Sequence, residues 1–261
     1  MSTTLDDITT RLRAAGCVFA EDEAALITAN ATNPRHLAAM VDQRVHGHPL
    51  EHVLGWAEFC GLRLTVEPGV FVPRQRTQFL ARHATHLAQR HPHPTAVDLC
   101  CGAGAVAAVL ATHHPGAHLH AADIDPRAVH CARTNLDPYD IPVHQGDLYD
   151  PLPPTLRGHI DILVANVPYV PTADLAYLPA EARLHEPRIA LDGGPDGLDI
   201  LRRVTAQATH WLAPGGHLLF ETSSRQAPHA RQAVTDHGLT PHLAHDDDLH
   251  ATILIATKPA H

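Results

Sequence analysis

From about residue 79 onward, short apolar runs alternate with helical segments, and this alternation constrains the fold more than any other feature. Strands that alternate with helices build a mostly parallel sheet covered by helices, which predicts an α/β fold. The strands are expected near residues 95–100, 118–123, 142–145, 160–166, 216–222, 240–244 and 251–257. The helices between them are expected near residues 77–90, 104–113, 126–136, 198–212 and 225–236.

The residues before this region carry mainly helical patterns. The segment 5–15 places its apolar residues on one face at helical spacing. Asn33 followed by Pro34 is typical of an N-cap and a first helical position, so a further helix is predicted to begin there. These patterns predict a small helical domain over residues 1–57.

A β-hairpin is expected to link the two regions. Two short extended runs flank Glu67-Pro68-Gly69, and Pro-Gly pairs favour turns. We therefore predict a hairpin linker over residues 58–76, followed by the α/β domain over residues 77–261.

Composition argues against several classes of protein. Hydrophobic residues make up 44% of the chain and charged residues 18%, which is ordinary for a globular protein and unlike a disordered one. The chain has no apolar run of membrane-spanning length, and its N-terminus lacks the features of a signal peptide, so a cytoplasmic location without a membrane partner is expected. A formal net charge of −9 without a basic block argues against direct binding to duplex DNA.

The five cysteines and 24 histidines form no recognisable metal-binding pattern. The cysteines fit no zinc spacing such as C-x-x-C, which indicates reduced intracellular thiols. The histidines are spread along the chain, whereas a metal site needs ligands grouped on one surface. We therefore predict no metal site.

Polar residues follow three of the predicted strands at the point where each strand ends. Asp98 ends the first strand and precedes a Gly-Ala-Gly turn, 102–104, whose backbone amides can approach a ligand closely. Asp123 ends the second strand, where an acidic side chain accepts hydrogen bonds from ribose hydroxyls. Asp147 follows the third strand and can reach an adenine amino group. Together these residues predict a site for a nucleoside-containing cofactor.

Other interpretations of these residues stay open. The third glycine of the dinucleotide fingerprint is missing, which disfavours NAD and FAD. Each carboxylate alone also fits a turn or a helix cap, and Asp125 before Pro126 is expected to be such a cap.

The fourth strand ends in the run Asn166-Val167-Pro168-Tyr169. Asparagine and proline are common in turns, but ligands of open α/β sheets bind just beyond the carboxyl ends of the strands. The loop that follows, residues 167–197, is long, and long loops in compact domains are usually functional. The run is therefore a candidate for the mouth of an active site.

In the order of these motifs, the chain resembles the class I S-adenosylmethionine-dependent methyltransferases. More narrowly, it is similar to the protein-(glutamine-N(5)) methyltransferases that modify peptide chain release factors. The match runs from roughly residue 35 to residue 226 and includes PLEHVLGWAEFCG, FVPRQRT, HEPRIALDGGPDGLD and LAPGGHLLFE. The resemblance implies a Rossmann-like seven-stranded class I methyltransferase sheet, with a small N-terminal helical domain for substrate recognition and a linking hairpin.

The resemblance also implies a cofactor and a set of site residues. The cofactor would be S-adenosylmethionine, with S-adenosylhomocysteine as the product. Catalysis is assigned to Asn166, Val167, Pro168 and Tyr169. The side-chain oxygen of Asn166 and the carbonyl of Val167 would each accept a hydrogen bond from one N–H group of a glutamine amide, and the ring of Tyr169 would pack against that amide. Cofactor binding is assigned to Asp98, Cys100, Cys101, Gly102, Ala103, Gly104, Asp123, Asp147, Leu148 and Asn166.

The sequence departs from the family pattern in two places. Valine stands at position 167 where proline is usual, and residues 73–78, PRQRTQ, lack both acidic residues of the family's PRxETE motif. These changes bear on substrate identity more than on reaction type. Farther along, Glu186 and Arg188 either belong to a charged turn or brace the substrate loop around Tyr169.

The leading hypothesis is methylation of a glutamine amide in the Gly-Gly-Gln loop of a release factor. The alternatives are a diverged N-methyltransferase for a small molecule, an adenine methyltransferase of nucleic acid, which shares the Asn-x-Pro-Tyr motif, and a non-catalytic S-adenosylmethionine-binding module. The negative net charge argues against nucleic acid as substrate, and the presence of Asn166 and Tyr169 argues against a binding module.

Overall fold

The computed structural model describes residues 4–260. Its N-terminal part is a bundle of helices with an apolar core of its own. The side chain of Asn33 accepts a 2.9 Å hydrogen bond from the amide of His36, which confirms the predicted N-cap. The last helix of the bundle was not predicted. The bundle comprises α1 (Leu5–Ala14), α2 (Ala20–Asn30), α3 (Pro34–Val45) and α4 (Leu50–Leu54).

The β-hairpin lies earlier in the chain than predicted. Strands β1 (Trp56–Phe59) and β2 (Leu62–Thr65) pair antiparallel across a turn at Cys60 and Gly61. A turn also forms at residues 67–69, where the amide of Val70 donates to the carbonyl of Glu67, but the prediction that it closes the hairpin is wrong. Cys60 and Gly61 have φ of +51° and +76°, the left-handed geometry that tight hairpins require. Cysteine rarely adopts this conformation, so the sequence carries no clear signal for the turn.

The rest of the chain forms the predicted seven-stranded sheet, in the order β5-β4-β3-β6-β7-β9-β8. Strand β9 runs antiparallel to its two neighbours, and the other strands are parallel to one another. The strands are β3 (Thr95–Leu99), β4 (His118–Asp123), β5 (Val143–Gln145), β6 (Ile160–Ala165), β7 (Leu212–Glu221), β8 (Thr240–Asp246) and β9 (Ala251–Thr257). The helices are α5 (Thr77–Ala88), α6 (Ala105–His113), α7 (Pro126–Leu136), α8 (Ala180–His185), α9 (Asp199–Trp211) and α10 (Ala227–Asp236).

Most predicted bounds agree with the structure to within two residues, and the larger differences are in β7 and in the loop 167–197. Strand β7 begins at Leu212, ahead of the predicted residue 216, because Leu212 already pairs with Ile160 before the register shifts. The long loop 167–197 is not without structure, since it contains the short helix α8.

The sheet order places the candidate residues together. Strand β3 has β4 on one side and β6 on the other, so the chain order reverses at β3. Its last residue, Leu99, pairs with Ala122 of β4 and with Ala165 of β6. Ligands of open α/β sheets bind at such a switch point, beyond the carboxyl ends of the strands. Between residues 4 and 260, none of the helices is both long and apolar enough to cross a bilayer.

Candidate active site

A cavity of about 470 Å³ opens at this edge of the sheet. Its wall is formed by the ends of β3, β4 and β6, the chain before α5 and the loop 167–197. Of the residues predicted to form the site, all but one line it. They are Asp98, Cys100, Cys101, Gly102, Ala103, Asp123, Asp147, Leu148, Asn166, Val167, Pro168 and Tyr169.

The exception, Gly104, ends the Gly-Ala-Gly turn at residues 102–104 but does not line the cavity. Its φ is +79°, and its amide donates a 2.8 Å hydrogen bond to the carbonyl of Cys101. A Cβ atom at this position would lie 3.0 Å from the side chain of Leu136, on α7. Glycine is therefore required for the backbone geometry and for the close packing of α6 on α7.

Asp123 is fixed by two backbone amides. Its Oδ2 accepts a hydrogen bond from Gly102 and its Oδ1 accepts one from Asp125, each over 2.9 Å. Burial raises the pKa of Asp123 above its usual value, although these two hydrogen bonds oppose the rise. Each carboxylate oxygen retains capacity for a further donor, such as a hydroxyl group.

Asp98 is the most deeply buried carboxylate of the site. It is 2% exposed, and its Oδ2 accepts a 3.1 Å hydrogen bond from the amide of Ala107 in the first turn of α6. Burial raises the pKa of Asp98 to about 7.

Two other residues of the cavity wall, Cys100 and Leu148, have positive φ of +55° and +49°, a conformation that non-glycine residues adopt at a cost.

The cavity carries more negative than positive groups. Asp147 forms a 2.6 Å ion pair with Arg203 of α9, and this partner was not predicted from the sequence. An excess of carboxylates favours a cationic ligand. The lining carboxylates are Asp98, Asp123, Asp125, Asp147, Glu181 and Glu221, and the lining guanidinium groups are Arg74, Arg76 and Arg203.

Asn166 presents an unused hydrogen-bond acceptor. Its Oδ1 is buried and has no hydrogen-bond partner among residues 4–260. Buried polar atoms are almost always paired, so an unpaired one in a cavity wall marks a place for a ligand donor.

The side chain of Val167, 3% exposed, packs into the apolar core beneath the sheet edge. The carbonyl of Val167 accepts no hydrogen bond within the described part of the chain.

Tyr169 is held by residues that the sequence did not reveal. Gln226 donates through Nε2 to the carbonyl of Tyr169 over 2.9 Å, and a guanidinium nitrogen of Arg76 contacts the tyrosine hydroxyl. The backbone at Gly193 packs closely against Pro168, because a Cβ atom at Gly193 would lie 2.7 Å from the carbonyl oxygen of Pro168.

Glu186 and Arg188 do brace the loop, but away from Tyr169. Glu186 forms a 2.6 Å ion pair with Arg74 and accepts a hydrogen bond from the amide of Val72, and burial raises its pKa. Arg188 forms a 2.8 Å ion pair with Asp192 inside the loop. The contacts of Glu186 tie the loop to the segment before α5, and that of Arg188 holds the loop together.

One of the site residues that the sequence analysis missed could have been found by looking for polar residues at the ends of all predicted strands. Glu221 ends β7 and lines the cavity, as the carboxylates at the ends of β3 and β4 and after β5 do. Arg76, Arg203 and Gln226 carry no comparable signal, because they reach the site only through the packing of helices. Within residues 4–260, no group of three His, Cys, Asp or Glu side chains is placed to hold a metal ion.

Comparison with known proteins identifies the family. The model of the family "Methyltransferase small domain" matches residues 61–194. The release factor glutamine methyltransferase of Mycolicibacterium smegmatis is 36% identical, over 91% of this chain and 90% of its own length. The chain belongs to the release factor glutamine methyltransferase family. The member from Geobacter sulfurreducens is 39% identical, over 75% of this chain and 69% of its own.

Solved structures of other methyltransferases have the same fold as this protein. One is the 16S rRNA N2 G1207 methyltransferase of T. thermophilus, in complex with AdoMet and guanosine. It has a TM-score of 0.53 and is 20% identical, with 78% of this chain and 49% of that chain covered. At this identity the likeness shows the class I methyltransferase fold alone.

Proposed function

We propose that this protein transfers a methyl group from S-adenosylmethionine to the side-chain amide nitrogen of a glutamine in a peptide chain release factor. The observation that carries the proposal is the buried, unpartnered Oδ1 of Asn166 in the cavity wall. An amide NH₂ group is a donor that such an oxygen can accept. The names of the curated relatives supply the substrate class.

The residues at the ends of β3, β4 and β5 fit the cofactor. Asp123 would accept the ribose hydroxyls with the capacity its two oxygens retain, and Asp147 would face the adenine. The excess of carboxylates suits the positive charge of the cofactor. When bound, S-adenosylmethionine supplies an electrophilic methyl group.

The residues after β6 would prepare the acceptor. An amide nitrogen is a poor nucleophile because its lone pair is delocalised into the carbonyl group. Oδ1 of Asn166 and the carbonyl of Val167 can each accept a hydrogen bond from one N–H group of the amide. These two bonds would hold the nitrogen lone pair toward the methyl donor. The same two oxygens stabilise the positive charge that develops on nitrogen.

The helical bundle is proposed to recognise the protein substrate. Arg44 of α3 forms a buried ion pair of 2.5 Å with Glu23 of α2. The same guanidinium reaches Glu181 of α8 over 2.6 Å, and Glu181 lines the cavity. A protein bound at the bundle would thus lie next to the active-site loop. The division into residues 1–57, 58–76 and 77–261 stays a prediction.

The decisive experiment offers the purified enzyme a purified release factor and labelled S-adenosylmethionine. We expect one methyl group on the glutamine of the Gly-Gly-Gln loop, located by peptide mass spectrometry. A release factor whose loop glutamine is replaced should gain none. Methylation of small amines without any methylation of the release factor would instead favour the diverged small-molecule enzyme.

A further inference from the structure

One guanidinium group links Tyr169 to a buried carboxylate. Arg76 immediately precedes α5, Tyr169 follows β6 and Glu221 ends β7, and all three line the cavity. Nη2 of Arg76 contacts the hydroxyl of Tyr169, while its Nε lies 3.3 Å from Oε2 of Glu221. Three elements of the fold are therefore joined at the side of the active site.

Within this cluster the carboxylate is buried, whereas the guanidinium is 44% exposed. The side chain of Glu221 is 4% exposed, and its Oε1 has no hydrogen-bond partner within residues 4–260. Burial opposes the charged form of Arg76, but Tyr169 and Glu221 outweigh it and raise its pKa, so the guanidinium remains charged. An ion pair with so exposed a guanidinium adds little net stability, because solvent screens the attraction. The clearest consequence of this one is geometric.

Tyr169 is fixed at both ends by these contacts. Gln226 holds its backbone carbonyl, and Arg76 holds its hydroxyl. A tyrosine side chain turns about two torsions, each with few preferred values, so fixing both ends selects one orientation of the ring. Small errors in the orientation of reacting groups reduce rates substantially.

We propose that Arg76 is a positioning residue, which orients the ring of Tyr169 against the methyl acceptor while Glu221 anchors the guanidinium. The inference depends on the proposed function only for the identity of the group that the ring faces. Arginine suits this task because it uses two separate nitrogens for two partners, which a lysine ammonium does not reproduce in the same geometry.

The test is a double-mutant cycle measured on turnover. We expect Arg76→Gln and Tyr169→Phe each to lower kcat by about three- to tenfold, as for the loss of one orienting hydrogen bond. KM for S-adenosylmethionine should change little. Because both substitutions remove the same contact, the double variant should be no slower than the slower single variant. Losses that multiply in the double variant would show that Arg76 does not act through the hydroxyl.

A matched control separates position from charge. Arg82 lies on the exposed side of α5, where it bonds Gln78 over 3.1 Å outside the cavity, so Arg82→Gln should leave kcat unchanged. Glu221→Gln should lower kcat in the same direction as Arg76→Gln. A loss with Arg82→Gln as large as that with Arg76→Gln would attribute the effect to general charge and overturn the inference.

An activity-independent measurement distinguishes this inference from the proposed function. The ring signal of Tyr169, assigned in ¹³C-tyrosine NMR spectra by its absence in Tyr169→Phe, should move in Arg76→Gln and stay in Arg82→Gln. If it moves but no release factor is methylated, the proposed function fails and the contact stands. If release factor is methylated and the signal does not move, the positioning role fails alone.

Discussion

The amide of Gly102 donates a 2.9 Å hydrogen bond to the carboxylate of Asp123, which joins the turn after β3 to the end of β4. The turn and the carboxylate are the two parts of the site that would hold the nucleoside, and this bond sets the distance between them. Their relative position therefore does not depend on the ligand. A preformed site of this kind loses less entropy when it binds.

Asp123→Ala should weaken binding of S-adenosylmethionine by about 1–3 kcal/mol, the usual cost of losing hydrogen bonds to a charged group. Isothermal titration calorimetry measures this directly. Asp236→Ala, on the exposed side of α10, is the control and should leave the affinity unchanged. Equal affinities for the two variants would remove Asp123 from the binding site.

Asn166→Ala should reduce turnover by about a hundredfold or more, as for the loss of one oriented acceptor in a transition state. Affinity for S-adenosylmethionine should change much less, because Oδ1 of Asn166 would face the methyl acceptor. Steady-state rates and calorimetry on the same preparation separate the two effects. Near-normal turnover would contradict the role of this oxygen.

Val167→Pro should retain activity. Only the carbonyl at this position is used, and the amide of Val167 donates no hydrogen bond within residues 4–260 that a proline ring would remove. The rate on a release factor, compared with that of the wild type, checks this. A folded, cofactor-binding variant without activity would show that the valine side chain matters, and would point to an acceptor other than the glutamine amide.

Gly193→Ala should lower turnover, because its Cβ would lie 2.7 Å from the carbonyl of Pro168 and displace the catalytic loop. Gly116→Ala is a matched control: neither glycine has a positive φ, and the nearest atom to a Cβ at Gly116 lies at 3.4 Å. Turnover and thermal unfolding of both variants should be compared. Full activity of Gly193→Ala would mean that the loop tolerates displacement.

Asp98 should make stability depend on pH. Its folded pKa of about 7 lies above the unfolded value of about 4, so the folded state binds its proton more tightly. The stability it contributes is present below pH 4 and is lost as the pH rises toward 7. The free energy of unfolding of the wild type, minus that of Asp98→Asn, should fall by up to about 1.4 kcal/mol per pH unit over this interval. Denaturant titrations at several pH values measure this difference, and a constant difference would contradict the raised pKa.

Local patterns in the sequence were enough to predict the sheet and one edge of the site. Most strands of the sheet contain a short apolar run, and parallel strands end at the same edge, so Asp98, Asp123 and Asn166 were expected to meet there. The same rule, applied to β7, would have included Glu221. These residues are predictable because each lies directly beside the strand that places it.

Only the tertiary structure placed the residues that hold this edge in position. Arg76 and Gln226 reach Tyr169 from positions just before α5 and α10, 93 and 57 residues away in sequence, and no local pattern encodes these contacts. The hairpin turn was misplaced for a related reason, since Cys60 adopts a positive φ that its side chain does not favour and that the paired strands impose. The sequence by itself determined which residues end the strands; long-range packing decided which side chains orient them.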